Sequence, residues 1–211
     1  MNQKGLLIIV SGPSGAGKGT LCKSLLKRDS SLIVSVSATT RLPRDGEVDG
    51  VSYHFYEKED FLNRIEANGF LEYAKVYDNY YGTPKDFVID HISRGENVLL
   101  EIDIQGAIQV KQKYPEGVFV FVLPPSMKTL RDRIVGRGSE TPESLEKRMS
   151  CAMNEIESIR HYDYFVVNDQ VEWATDQLQA ILLAEKCRVR SDISEVVLKF
   201  KEEKQNVKSV D

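Results

Sequence analysis

The stretch SGPSGAGKGT at residues 11–20 sets Gly12, four intervening residues, Gly17 and Lys18 in the spacing of a phosphate-binding loop. Such a loop works through its backbone. Its glycines let several N–H groups converge on phosphate oxygens, and the helix that follows adds partial positive charge. Lys18 supplies a point charge for the β- and γ-phosphates of a nucleotide. The usual pattern next places Ser or Thr to hold Mg²⁺, but here Gly19 stands there and the hydroxyl arrives one residue later, at Thr20. Mg²⁺ is therefore expected to be held through water, near Thr20, Glu101 and Asp103. The two carboxylates end the apolar run VLLEID, and two apart on a strand they project from one face beside the ligand crevice of a parallel sheet. Asp103 is equally well placed to cap the helix that follows.

A second anion site is suggested by Arg41 and Arg44, with Tyr53 and Tyr81 in the same segment. Guanidinium forks bind phosphate bidentately, and tyrosine hydroxyls donate to its oxygens. Taken alone, a surface arginine pair is more often a solvated face. Arg131, Arg133, Arg137 and Arg148 fall within residues 126–150, a basic segment suited to closing over phosphates; the plain alternative is a solvated, salt-bridged helical hairpin.

These groups need a scaffold that aims them at one place. LLIIVSG (6–12) is a continuous apolar run, as in a strand buried on both faces, and it leads directly into the phosphate loop. Leu21, Leu25 and Leu26 then recur at helical spacing. SLIVSVS (31–37), VLLEID (98–103), VFVFVL (118–123) and Tyr164–Val167 are further strand candidates, with a helix around Gly106–Tyr114 and a long one from Val171 to about Arg190. This alternation predicts an α/β domain with a parallel sheet flanked by helices.

Two segments interrupt the rhythm. Residues 38–88 read as a small inserted lobe of antiparallel or mixed strands around a helix near Lys58–Ala67. Residues 126–150 read as a helical lid, with Thr141 as N-cap and Pro142 at the first helical position of its second helix. The remaining segments, 1–37, 89–125 and 151–190, form the core, and 191–211 is a polar tail with little pattern, its outer part a frayed helix or disordered.

The chain has 211 residues, 28% charged, with a formal charge of −4 and a pI near 5.5. That balance argues against a dedicated nucleic-acid binder. Cys22, Cys151 and Cys187 form no metal or redox motif and read as reduced thiols of a cytosolic protein. The run Leu6–Val10 is too short to span a bilayer, and nothing before it reads as a signal peptide.

The segments SATTRLPRDGEVDGVSYHF, GFLEYAKVYDNYYGTP and LEIDIQG, the arginine-rich 126–150 stretch and VVND together resemble the guanylate kinase family, over about residues 5–187. The resemblance implies a P-loop nucleoside triphosphate hydrolase-like fold and ATP-dependent phosphorylation of GMP and dGMP. It implies ATP at Gly12, Pro13, Ser14, Gly15, Ala16, Gly17, Lys18, Gly19 and Thr20, with Mg²⁺ as cofactor. GMP is assigned to Ser37, Arg41, Arg44, Tyr53, Glu72, Tyr81, Thr83 and Asp103, the base being read by Glu72 with Ser37 and Thr83. Lys18, Arg41, Arg133, Arg137 and Arg148 take the catalytic roles, while Arg131 fits the pattern less well. A carboxylate accepts from both guanine N1–H and the 2-amino group, a donor pair adenine lacks. Thr83, followed by Pro84, also reads as a helix N-cap. Two departures stand out: Gly19 gives GKGT, as in adenylate kinases, where many guanylate kinases have Ser, and His54 replaces a more usual aromatic and is read as packing or rim. The implied setting is cytoplasmic, without membrane or nucleic-acid partners, and homo-oligomerisation is left open.

Overall fold

The computed structural model describes residues 4–136, 142–189 and 194–208. Strand β1 (Leu7–Ser11) is buried along its whole length and lies in the middle of a five-stranded sheet. Its neighbours are β7 (Asn97–Glu101) and β8 (Val118–Leu123), both parallel to it, with Ile9 beside Leu100 and Val10 beside Val120. β2 (Leu32–Val34) and β9 (Tyr164–Val167) complete the order β2-β7-β1-β8-β9, every pair parallel.

Alternation along β1 divides the core in two. Ile8 and Val10 face a cluster with Leu21 and Leu25 of α1 (Lys18–Arg28) and Leu178 of α7 (Val171–Lys186). Leu7 and Ile9 face the other side, with Val88 and Ile92 of α3 (Lys85–Ser93) and Val110 of α4 (Ile104–Lys113). A strand packed by helices on both faces has no polar side, which is why its sequence is an unbroken apolar run. Cys22 joins the first cluster as a free thiol, pushed up to about 12 chiefly by burial and so unreactive.

A second sheet, ordered β4-β3-β6-β5, holds the inserted segment. β5 (Phe70–Val76) and β6 (Asn79–Pro84) form an antiparallel hairpin. β3 (Ala38–Thr39) pairs antiparallel with β6 and parallel with β4 (His54–Phe55). Its own small core stacks Phe61 of α2 (Lys58–Glu66) on Phe70 at 4.3 Å between ring centres. His54 stacks on Tyr56, in keeping with a packing role. Helices α5 (Met127–Val135) and α6 (Pro142–Glu157) close a further cluster around Leu130, Ile134 and Ala152.

Two local readings change. Thr83 is not a helix cap: Pro84 occupies the N-cap of α3, and the Thr83 hydroxyl is committed to Glu72. Asp103 lies beyond the end of β7, so strand alternation does not put it on the face of Glu101; it caps α4 instead, accepting from Gly106 N–H at 2.7 Å. Of the two states expected for the tail, the helical one is present, as α8 (Ser194–Lys208). The boundaries expected at 88 and 150 fall inside α3 and α6. Thr141 lies outside the described residues.

Candidate active site

The turn from β1 to α1 encloses a cavity of about 340 Å³ lined by Ser14, Gly15, Gly17, Lys18, Gly19, Thr20, Lys23 and Glu101. Gly17 has φ +91°, and a Cβ there would stand 2.3 Å from Asn168 Nδ2, so only glycine fits. Asn168, at the end of β9 and almost fully buried, donates through Nδ2 to the Ala16 carbonyl at 2.8 Å. Arg133 of α5 donates to the Asn168 and Ala16 carbonyls at 2.9 and 3.4 Å. The loop is thus held in shape from two elements that follow it by more than a hundred residues. A larger cavity, about 640 Å³, opens beside Gly5, Asn97 and Val118 at the opposite ends of the strands, away from the phosphate loop.

Lys18 folds back on its own loop, donating to the carbonyls of Gly12 and Pro13 at 2.7 and 3.2 Å. Burial lowers its pKa, against the opposing influence of the Glu101, Glu155 and Asp103 carboxylates. The place of the missing hydroxyl is occupied: a Cβ on Gly19 would meet Glu101 Oε1 at 3.2 Å and Oε2 at 3.5 Å. Gly19 therefore leaves room for a carboxylate arriving from β7, and Glu101, not Asp103, is the acid beside the loop. Glu155 of α6 also approaches the loop, where burial raises its pKa and the Ser14 backbone and Lys18 oppose the rise.

Across the cleft, Glu72 on β5 is buried and accepts from the Thr83 hydroxyl at 2.6 Å, across the β5–β6 hairpin. Burial raises its pKa first and foremost; Asp103 adds to the rise, whereas Thr83 and Lys113 oppose it. Gly106 at the start of α4 backs this carboxylate, since a Cβ there would stand 3.1 Å from Glu72 Oε2. Gln109 clasps the Tyr73 backbone from both sides, accepting from its N–H at 3.1 Å and donating to its carbonyl at 3.0 Å, and Lys113 donates to the Phe70 carbonyl.

The arginine pair follows β3, whose Thr39 lies beside Tyr81 on β6, two residues from Thr83. Arg41 forks onto Glu47 at 2.8 and 2.9 Å, with Tyr53 5.5 Å beneath its guanidinium and the Tyr53 and Tyr81 rings edge to face. Arg44 is exposed, its backbone N–H donating to Glu47. Ser37 passes its carbonyl to His54 N–H. Arg148 is exposed on α6, Arg131 is exposed on α5, and Arg137 lies outside the described residues. Among the described residues no three His, Cys, Asp or Glu side chains gather as a metal cage.

Asp103 bears electrostatically on both places: its carboxylate opposes the lowering at Lys18 and adds to the rise at Glu72. A family model described as guanylate kinase matches residues 4–185. The chain belongs to the guanylate kinase family. A guanylate kinase of Clostridium perfringens (strain SM101 / Type A) is 58% identical over 202 residues, covering 96% of this chain and 93% of that one. A guanylate kinase of Clostridioides difficile (strain 630) is 55% identical, covering 95% and 98%. The crystal structure of guanylate kinase from Anaplasma phagocytophilum superposes with a TM-score of 0.70 at 33% identity over 89% of each chain. As a guanylate kinase, the chain is an ATP:GMP phosphotransferase. Among the described residues no helix is long and apolar enough to cross a membrane.

Four residues near these sites escaped the sequence reading. Asn168 stood in the quoted VVND motif but without a task, and Glu47 stood unassigned in PRDGE. Gln109 and Glu155 sit on ordinary amphipathic helices, where nothing in the sequence marks them out.

Proposed function

We propose that ATP occupies the loop Gly12–Thr20 and GMP the lobe, so that the two phosphates meet near Asp103. The division into a core, a GMP lobe (38–88) and a lid (126–150) belongs to the same proposal. The observation that carries it is the buried Glu72 carboxylate, shaped by Thr83 and Gly106 to offer two acceptor oxygens to an adjacent donor pair. Guanine has that pair; adenine does not. Ser37 and Thr83 assist on the base, while Arg41, Arg44, Tyr53 and Tyr81 take the acceptor phosphate, and Asp103 stands on the acceptor side.

Phosphoryl transfer asks little covalent chemistry of a protein. It asks that two phosphates be held in line, their charge balanced and water kept out. Lys18 leaves the Gly12 and Pro13 carbonyls for the triphosphate, at no cost in unsatisfied donors. Arg133, Arg137 and Arg148 bring further positive charge from the lid. No general base is needed, since the attacking phosphate oxygen is already ionised.

The residues fit Mg²⁺ as an ion carried mainly by substrate phosphates and water, with Glu101 the protein carboxylate and Thr20 beside it. When bound, Mg²⁺ neutralises charge on the β- and γ-phosphate oxygens. A cytoplasmic setting accords with the three free cysteines.

The test is substitution of the base-reading residue. Glu72→Gln keeps shape and Thr83 contact but turns one acceptor into a donor facing guanine. The expected outcome is a fall of about a hundredfold or more in the kcat/KM preference for GMP over AMP, with the KM for ATP unchanged. An unaltered preference would remove Glu72 from recognition.

A further inference from the structure

The Arg41–Glu47 pair poses a problem for the acceptor site. A guanidinium offers five N–H donors along its edges and can fork onto an oxyanion from more than one of them. Glu47 takes the end of Arg41: Nη1 donates to Oε2 at 2.9 Å and Nη2 to Oε1 at 2.8 Å. The second Nη1 hydrogen goes to the Leu42 carbonyl at 2.7 Å. What remains is the side edge, Nε–H and the second Nη2–H, and Arg41 also meets the Tyr81 side chain. Tyr53 lies beneath the guanidinium plane, so the group cannot rotate freely.

The same carboxylate shapes the rest of the loop. Glu47 Oε2 accepts from the Arg44 backbone N–H at 2.8 Å, and Glu47 N–H returns a bond to the Arg44 carbonyl at 3.0 Å. Gly46, at φ +82°, makes the turn that brings Glu47 back. One carboxylate therefore ties the end of Arg41 to the backbone of Arg44. A long arginine side chain otherwise loses much rotamer freedom when it captures a ligand, and a brace formed in advance removes that loss from the binding step.

We infer that Glu47 is a positioning residue for the acceptor phosphate, gripping one edge of Arg41 so that its Nε/Nη2 edge points at the ligand. The inference rests on the reading that Arg41 binds that phosphate. Glu47 itself does not touch the substrate, and it stays on Arg41 when GMP is bound.

The experiment compares GMP with guanosine, which carries the base and no phosphate. Glu47→Gln keeps the size of the side chain and removes its charge. The expected result is a KM for GMP raised about tenfold with kcat within about twofold of the parent, since a charge-assisted fork is lost while the transfer step is not. Guanosine affinity by calorimetry and the KM for ATP stay as they were. Glu47→Asp, which retains the charge on a shorter arm, recovers part of the loss. In an Arg41→Lys background Glu47→Gln adds nothing further, because the fork it braces is absent. A GMP KM that is unchanged or lowered would overturn the inference, the latter by making Glu47 a competitor of phosphate. An equal loss for guanosine would overturn it too, by reducing Glu47 to a support of the whole lobe. Failure of the parent protein to bind GMP while binding guanosine would instead strike at the acceptor-phosphate reading itself.

Discussion

Glu72 carries two opposed demands. Burial favours its neutral form, yet only the carboxylate can accept from both guanine donors. Thr83 and Lys113 oppose the rise without cancelling it, so the folded pKa stays above the ordinary glutamate value of about 4.3. Two consequences share one sign. For ligand binding, lowering pH through the raised pKa protonates Glu72 and weakens recognition of the base by about tenfold per pH unit. Guanosine is the probe, because it has no phosphate of its own to titrate in that range. For stability, a carboxyl whose folded pKa is raised contributes most when protonated, and that contribution is lost as pH rises through the folded value. Once ionised, Glu72 is therefore an unfavourable buried charge in the folded protein. The expected outcome is that Glu72→Gln abolishes the acid limb of guanosine binding and melts no lower than the parent at pH 7. Calorimetric titration across pH and a thermal melt check the two halves, and a persistent acid limb in the variant would assign it to another group.

At the scale of elements, the seam between α4 and β5 decides how the lobe meets the core. Three side-chain or backbone features of α4 act on it: Gly106 behind Glu72, Gln109 clasping Tyr73, and Lys113 on the Phe70 carbonyl. Gly106→Ala puts a Cβ 3.1 Å from Glu72 Oε2, too close for the carboxylate to stay where it is. The helix itself gains up to about 1 kcal/mol from the change, since alanine is the better helix former. The fold is therefore expected to hold while guanine discrimination falls. Steady-state kinetics should show at least about a tenfold loss in GMP over AMP preference, with the KM for ATP unaltered. An undiminished preference would mean that the seam tolerates the methyl group without moving Glu72.

For the whole molecule, what was legible in the sequence follows from where periodicity exists. β1, β7 and β8 were readable because strands covered on both faces must be apolar throughout, and the glycine spacing after β1 has one common structural use. The helix-cap reading of Thr83 fails because its partner is set by the β5–β6 register, eleven residues back across a hairpin. Alternation failed for Asp103 because β7 stops at Glu101. Glu47 was silent because its bonds lie within a non-periodic loop. The phosphate loop rests on Leu21, Leu25 and Val120, while the lobe has a small core of its own at Phe61 and Phe70 and reaches the central sheet through Leu71. That partial independence should let each half bind its nucleotide when the other is crippled. A ligand at a hundred times its Kd stabilises a protein by about 2.7 kcal/mol, which corresponds to about 5–10 °C for a chain of this size. Lys18→Met removes a partly buried ammonium whose pKa burial already lowers, so its fold should survive. Its melting temperature is expected to rise with GMP as the parent's does, but not with a non-hydrolysable ATP analogue. Glu72→Gln should show the reverse, and loss of both shifts in either variant would mean that the two halves form only as one unit.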